Sequence, residues 1–257
     1  MVTNMPIMNT RRSLCSVSEE GKSHRLPFPT QQIRRATKKL ELVHTEICGP
    51  MHTDLMNGSK YFILFIDDFS RYTWIHFMKM KSEAFQMFIK FKALAENEAD
   101  LKIKTLRSDN GAEFLSNQFQ EFLQKNGIIH QLSTPYSPQQ NGVCERKNYI
   151  SVEHARCLLF KNKMPKFFWV EAVNTAIYLQ NQLSTKALNN ITPYEAWTSC
   201  KLKVKHLRIF GSVCYIHVPQ EKRTKLDKQA DVHILVSYSV VTKGYKLECF
   251  FTENYSQ

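Results

Sequence analysis

The sequence predicts an α/β fold in which a mixed five-stranded sheet is flanked by helices and followed by a small C-terminal β appendage. Three apolar, β-branched runs in succession predict three adjacent strands of an antiparallel meander, and two later strand segments each follow a helical pattern. Helical crossovers would return these later strands to the sheet and cover both of its faces. With 257 residues, of which 43% are hydrophobic, the chain can bury a substantial core.

The first elements are predicted from residues 40–98. LELVHTEI (40–47), KYFILFID (60–67) and residues 72–80 predict strands. The second run is so uniformly apolar that we expect a central strand buried on both faces. Ser82 is predicted to cap a helix over 82–98, because phenylalanines recur there near helical spacing.

The later elements alternate between strand and helix. They are predicted, in order, as a strand at 101–109, a helix at 116–125, a strand at 128–133 and helices at 143–161 and 165–183. A Pro-rich turn, TPYSPQQNG, separates the last of these strands from the long helix that follows. The β appendage is predicted from FGSVCYIHVP, VHILVSYS and YKLECFF near the C-terminus.

Charge divides the chain into three parts. The net charge is +6 over residues 1–40, −1 over 41–150 and +7 over 151–257. We therefore predict a basic tail (1–39), a core (40–185) and a basic C-terminal extension containing the small β unit (186–257). Basic flanks around a near-neutral centre suit a polyanionic partner, although a generally basic surface is an alternative.

Membrane insertion and secretion are not expected. The start of the chain lacks an apolar stretch after its positive residues, and the cleanest apolar run, Tyr61–Ile66, is far shorter than the ~20 residues that span a bilayer. The seven cysteines include no C-x-x-C pair, which favours reduced thiols. We expect a soluble protein of the nucleus or cytoplasm.

Three carboxylates fall where the predicted elements would bring them together. Glu46 ends the first strand, Asp109 ends the fourth, and Glu145 lies in the first turn of the long helix. Carboxylates suit a hard divalent cation such as Mg²⁺, and two such ions can assist phosphodiester cleavage. Helical spacing predicts that Glu145 heads an apolar stripe through Tyr149, Val152 and Leu159 that faces the sheet, with Arg146 and Lys147 pointing elsewhere.

Each of these acidic residues also has an ordinary structural interpretation. Asp109 with Asn110 and Gly111 is typical of a turn, Glu145 can simply favour its helix dipole, and Glu46 can be a solvated strand end. Asp67 and Asp68 are interpreted as the start of a turn, with Arg71 as an ion-pair partner.

Several segments resemble, in order, the integrase region of Pol polyproteins from copia-type long-terminal-repeat retrotransposons. They are LELVHTEICGPM, YFILFIDDFSRYTWI, LRSDNGAEF, HQLSTPYSPQQNGVCERKN, FWVEAVNTAIYLQNQ, TPYEAW and HLRIFGSVCYIHVP. The resemblance implies a ribonuclease H-like fold, a C-terminal SH3-like unit, and Mg²⁺- or Mn²⁺-dependent trimming and transfer of DNA 3′ ends. By position, Glu46, Asp109 and Glu145 would be the catalytic and metal-binding residues. DNA, as element ends and target, and a homo-oligomer are the implied partners.

The chain departs from the family in two places. The family has Asp at the position of Glu46, and a displacement of ~1 Å at a reacting centre can cost on the order of 10²-fold, so we expect impaired catalysis and weak or absent metal binding. No zinc is expected, because Ser18 replaces the second cysteine after Cys15 and no upstream histidine pair exists. The tail is thus a remnant of a zinc-binding region, and the chain is expected to be a fragment or degenerate copy.

Two regions are predicted to contact DNA. In and after the loop PYSPQQNG, the candidates are Tyr136, Gln139, Gln140, Asn141, Arg146 and Lys147. A polar turn that caps the helix is the alternative for this loop. Around the C-terminal β unit, sequence-independent affinity is predicted from Lys201, Lys203, Lys205, Arg208, Lys222, Arg223 and Lys225. A noncatalytic DNA-binding module and a ribonuclease H are the alternative functions.

Overall fold

The structure is a computed structural model that describes residues 35–51, 58–133, 141–239 and 244–249. A mixed sheet of order β3-β2-β1-β4-β5 forms its centre. β1, β2 and β3 pair antiparallel, and β4 and β5 run parallel to β1, which confirms the predicted meander and crossovers. The strands are β1 (Val43–Cys48), β2 (Tyr61–Asp67), β3 (Thr73–Met78), β4 (Thr105–Ser108) and β5 (Ile129–Leu132).

Helices cover both faces of this sheet. They are α1 (Ala84–Ala99), α2 (Ala112–Leu115), α3 (Asn117–Lys125), α4 (Gly142–Lys161), α5 (Trp169–Asn181) and α6 (Pro193–Thr198). The prediction that Ser82 caps the first helix is wrong, because Ser82 lies inside a 3₁₀ turn, Lys81–Glu83. Glu83 stabilises that turn instead, since its carboxylate accepts the backbone N–H groups of Lys79 and Met80 at 3.0 and 2.9 Å. None of the described helices is long and apolar enough to cross a membrane.

The uniform apolar character of β2 follows from its place between β1 and β3. Ile63 and Phe65 point into a first core beneath α1 and α3, where Phe65 stacks on Phe91 with ring centroids 4.2 Å apart. The alternate residues Phe62 and Leu64 point into a second core beneath α4 and α5. Because both faces are buried, every position of this strand favours an apolar side chain.

The buried face of α4 agrees with the predicted stripe only in part, because Val152 and Leu159 pack against the second core but Tyr149 and Glu145 do not lie on the buried face. The residues that face the sheet are Cys144, Asn148, Ser151 and Ala155, whereas Tyr149 is 64% exposed. Glu145 is therefore beside the buried stripe and exposed, not at its head. The apolar pattern misled because the true stripe is small and partly polar. Such residues let a helix approach a sheet closely but carry no strong hydrophobic signal.

The C-terminal strands form a separate small sheet, as predicted. β6 (Val213–His217), β7 (Ala230–Tyr238) and β8 (Tyr245–Cys249) pair antiparallel. β7 packs against α5, and its Ile234 and Val236 are part of the second core. The Asn174 side chain adds a 2.8 Å hydrogen bond to Ser237. The predicted boundaries after residues 39 and 185 remain predictions.

Gly49 allows a close passage between the end of β1 and the start of β2. Its φ is +128°, a region that glycine adopts readily and other residues rarely. A Cβ at this position would lie 2.6 Å from the carbonyl oxygen of Lys60 and 2.9 Å from the ring of Tyr61. The absence of a side chain thus lets the Tyr61 ring lie directly against the backbone at the end of β1.

Candidate active site

Strand register brings Glu46 and Asp109 to the same edge of the sheet. β1 and β4 are parallel, with Val43 opposite Leu106 and His44 opposite Arg107. Continuing this register by two residues sets Asp109 beside Glu46. Val43 points into the first core, so the alternate residue Glu46 points to the opposite face, which α4 covers.

Asp109 and Glu145 are both near enough to Glu46 for their charges to act on its carboxylate. Burial, followed by the charges of Asp109 and Glu145, raises the pKa of Glu46 to about 7. A hydrogen bond from the Asn148 side chain opposes this rise. Asn148 lies one helical turn after Glu145 on α4 and is buried. Sequence reasoning missed Asn148, since a single Asn in a helix carries no signal of its own.

The carboxylates of this site are suitable ligands for a divalent metal ion that also binds substrate phosphate. One oxygen of Glu46, Oε2, is buried without a hydrogen-bond partner. No group of three or more His, Cys, Asp or Glu side chains within the described ranges is arranged to hold a metal ion. Mg²⁺ commonly takes only one or two protein carboxylates and completes its shell with phosphate and water. Carboxylate oxygens such as the unpartnered Oε2 of Glu46 are the kind of ligand that Mg²⁺ prefers.

Glu46→Gln is expected to remove a pH dependence of stability. A folded-state pKa raised from 4.5 to about 7 contributes stability that is full below pH 4.5 and is lost as pH rises through 7. The wild-type free energy of unfolding should thus fall by up to about 3 kcal/mol relative to Glu46→Gln across that interval. Urea unfolding at pH 4.5 and pH 8 measures this difference. Glu121→Gln, at an exposed position of α3, is the control, and its free energy of unfolding should change with pH as that of the wild type does. If the free energies of unfolding of the wild type and Glu46→Gln change equally between these pH values, the raised pKa of Glu46 is contradicted.

The predicted DNA-binding residues are only partly described. Tyr136, Gln139 and Gln140 lie outside the described residues. Asn141 is buried at the N-cap position of α4, does not cap the helix with its side chain, and has an Oδ1 atom without a hydrogen-bond partner. Arg146 is exposed as predicted, but Lys147 is half-buried, and burial lowers its pKa to about 8. Lys147 therefore does not point away from the protein.

A buried ion-pair network lies on the same face of β1. Asp68 accepts a hydrogen bond from His44 Nε2 at 2.9 Å and pairs with Arg71 at 3.1 Å, which confirms the predicted ion pair. Burial alone would raise the pKa of Asp68, but the His44 hydrogen bond and the Arg71 charge lower it to about 2. Asp67 accepts the backbone N–H of Leu40 and both the N–H and hydroxyl of Ser70. The network thus fastens the segment before β1 to the turn after β2.

Two further charged residues extend the site beyond the prediction. The Glu113 side chain, on α2, and Asp109 Oδ1 both lie about where a Cβ on Gly111 would contact them, and Lys81 pairs with Glu113 at 3.9 Å. The segment DNGAE carries a weak signal for Glu113, because a second acid follows Asp109 by four residues. Lys81 lies on another part of the chain, so its proximity could come only from the structure.

Comparison with known families defines the class of protein. Residues 36–138 match the model of the integrase core domain, and residues 212–253 match that of the retroviral polymerase SH3-like domain. A solved simian T-cell lymphotropic virus intasome, in complex with PP2A regulatory subunit B56 gamma, matches 88% of this chain and 82% of that chain with a TM-score of 0.56 and 19% sequence identity. This likeness is one of fold. The chain thus contains an integrase core domain, and its five-stranded sheet has a ribonuclease H-like fold.

Curated relatives identify the particular family. The chain is 43% identical over 233 residues, 91% of its length, to the retrovirus-related Pol polyprotein from transposon TNT 1-94 of Nicotiana tabacum. It is 33% identical over 244 residues, 94% of its length, to that from transposon RE2 of Arabidopsis thaliana. It covers 18% and 16% of these relatives' lengths. The chain belongs to the family of integrase regions found in Pol polyproteins of copia-type retrotransposons.

Proposed function

We propose that this chain performs metal-dependent processing of DNA 3′ ends and their transfer into target DNA, with Glu46, Asp109 and Glu145 as its catalytic carboxylates. The observation that carries this proposal is the shared electrostatic environment of these three side chains. They come from two neighbouring strand ends and the first turn of α4, which a rigid sheet supports. Glu46 in place of Asp makes the activity low.

The chain's own residues would bind and orient the reacting groups. Mg²⁺ or Mn²⁺ at this site would activate an attacking oxygen and stabilise the leaving oxygen of a phosphodiester. Asn148 orients Glu46 through its hydrogen bond, while the strand pairing of β1 fixes the backbone beneath it. Because the pKa of Glu46 is about 7, metal binding must displace a proton near neutral pH. Metal affinity should therefore rise with pH.

DNA is the partner that the charge distribution supports. Asn141, Arg146 and Lys147 lie at the start of α4 beside the carboxylates, and we include Tyr136, Gln139 and Gln140 of the preceding loop in the proposed DNA contact. Exposed basic residues continue along the C-terminal part as Lys201, Lys203, Lys205, Arg208, Lys222 and Lys225. The simian neighbour was solved as an intasome, which supports a proposal that this chain acts on element ends and target DNA as a homo-oligomer.

The test is nicking and joining of labelled duplex DNA by the purified chain with Mg²⁺, Mn²⁺ or a chelator. Slow product formation that needs metal and disappears in Asp109→Asn is expected, with DNA affinity and circular dichroism retained in the variant. Absence of product from both wild type and Glu46→Asp, with salt-sensitive DNA binding intact, would instead identify a noncatalytic DNA-binding module. Cleavage confined to the RNA strand of hybrids would identify a ribonuclease H.

A further inference from the structure

Lys81 lies at the rim of the carboxylate site without belonging to it. It is in the 3₁₀ turn between β3 and α1, and its side chain is 51% exposed. Its Nζ atom is 3.9 Å from Glu113 Oε1 and 5.9 Å from the centroid of the Tyr61 ring. The ring is held against the β1 end by the close approach at Gly49. An ammonium group over an aromatic face is favourably placed and keeps access to solvent.

Glu113 links Lys81 to the candidate catalytic residue Asp109. A Cβ built on Gly111 would lie 3.1 Å from Asp109 Oδ1 and 3.1 Å from Glu113 Oε1, so the two carboxylates flank the same small space. The Glu113 side chain is only 15% exposed. Its contact with Lys81, at 3.9 Å, is long for an ion pair. Because the contact is long and Lys81 itself is half-exposed, we expect this pair to be weak.

A site with this much negative charge needs a cation to receive DNA. Asp109, Glu113 and Glu145, together with Glu46 when it is ionised, repel the phosphates of DNA. A lysine close to the carboxylates and open to solvent can offset this repulsion. Lys81 meets both conditions.

We propose that Lys81 is a DNA-phosphate contact at the rim of the carboxylate site, and that Glu113 holds it there until DNA arrives. The inference rests on the proposed function and adds a residue that positions the substrate. When a phosphate oxygen replaces Glu113 as the partner of Lys81, the Glu113 carboxylate is released beside Asp109. Glu113 and DNA thus compete for the same ammonium group.

The salt dependence of DNA binding tests the contact. Fluorescence anisotropy of a labelled duplex, titrated at several salt concentrations without divalent metal, gives the slope of log affinity against log salt. Lys81→Ala should reduce the magnitude of that slope by about one, and Lys81→Arg should preserve it. Lys102→Ala is the matched control: Lys102 is also exposed and also paired with a glutamate, Glu96, at 2.8 Å, but it follows the opposite end of α1, about 24 Å away along the helix.

A double-mutant cycle tests the competition with Glu113. Glu113→Gln should strengthen DNA binding several-fold when Lys81 is present and less in the Lys81→Ala background. A merely structural role for Glu113 would give the same change in both backgrounds. Unchanged salt slopes in Lys81→Ala, with wild-type binding intact, would overturn this inference and leave the proposed function standing. Failure of the wild type to bind DNA at all would overturn the proposed function itself.

Discussion

Glu46→Asp is expected to raise the rate of metal-dependent DNA nicking and strand transfer by on the order of 100-fold. The backbone at residue 46 is fixed because Glu46 pairs with Leu64 of β2, and β1 also pairs with β4 two residues earlier, at His44. The additional methylene of Glu46 cannot be absorbed by a shift of the strand, so its carboxylate is displaced toward α4. Aspartate, which the family resemblance implies at this position, would withdraw the carboxylate toward the strand.

Glu145→Asp is the matched control for this substitution. It removes one methylene from another carboxylate of the same site, but from a position where the glutamate already fits the family pattern. Its rate should fall while that of Glu46→Asp rises, and initial rates with Mg²⁺ and with Mn²⁺ measure both. Equal rates for wild type and Glu46→Asp would show that the length of residue 46 does not limit the reaction.

Asp68→Ala is expected to lower the free energy of unfolding by about 3–5 kcal/mol, the range for breaking a buried ion pair at one partner. Asp68 is 4% exposed and accepts hydrogen bonds from His44 Nε2 and from the backbone N–H of Ala36, in addition to its pair with Arg71. Its removal leaves the Arg71 guanidinium without its carboxylate in a largely buried position. The segment before β1 also loses one of its attachments.

The loss should depend on pH in a defined direction. Since the folded-state pKa of Asp68 is lowered from 3.8 to about 2, its stabilisation is present above pH 3.8 and is lost as pH falls through 2. Urea unfolding at pH 7 and at low pH follows this change. Asp227→Ala is the control, because Asp227 is exposed and accepts a hydrogen bond from the nearby Thr224 N–H; it should cost below about 1 kcal/mol. A similar loss in both variants would argue against the network.

The elements that sequence predicted well are those whose burial is apolar. The run at 61–67 revealed an interior strand because both of its faces meet hydrophobic cores. α4 was located correctly, but its buried face was predicted only in part, since Cys144, Asn148 and Ser151 pack where periodicity favours large apolar residues. A hydrophobic pattern in the sequence reveals a buried face only when that face is apolar, so a buried face of small polar residues gives no such pattern.

The candidate site was predictable to the extent that it follows strand ends. Glu46 lies two residues before the end of β1 and Asp109 directly follows β4, so the parallel pairing of these neighbouring strands brings the two residues together. Lys81 was not predictable, because no local pattern relates the turn before α1 to the loop after β4. Likewise, the interaction of Asn148 with Glu46 depends on the close packing of α4 on β1, which the sequence does not encode in any local motif.

The packing of β7 on α5 makes the C-terminal sheet a structural cover for the core. Ile234 and Val236 fill space between this sheet and α5 that belongs to the same apolar interior as Phe62 and Leu64. A polypeptide truncated after residue 185 would expose that apolar interior to solvent and would be prone to aggregation. The folding of the five-stranded sheet that carries the carboxylates therefore depends on the C-terminal sheet.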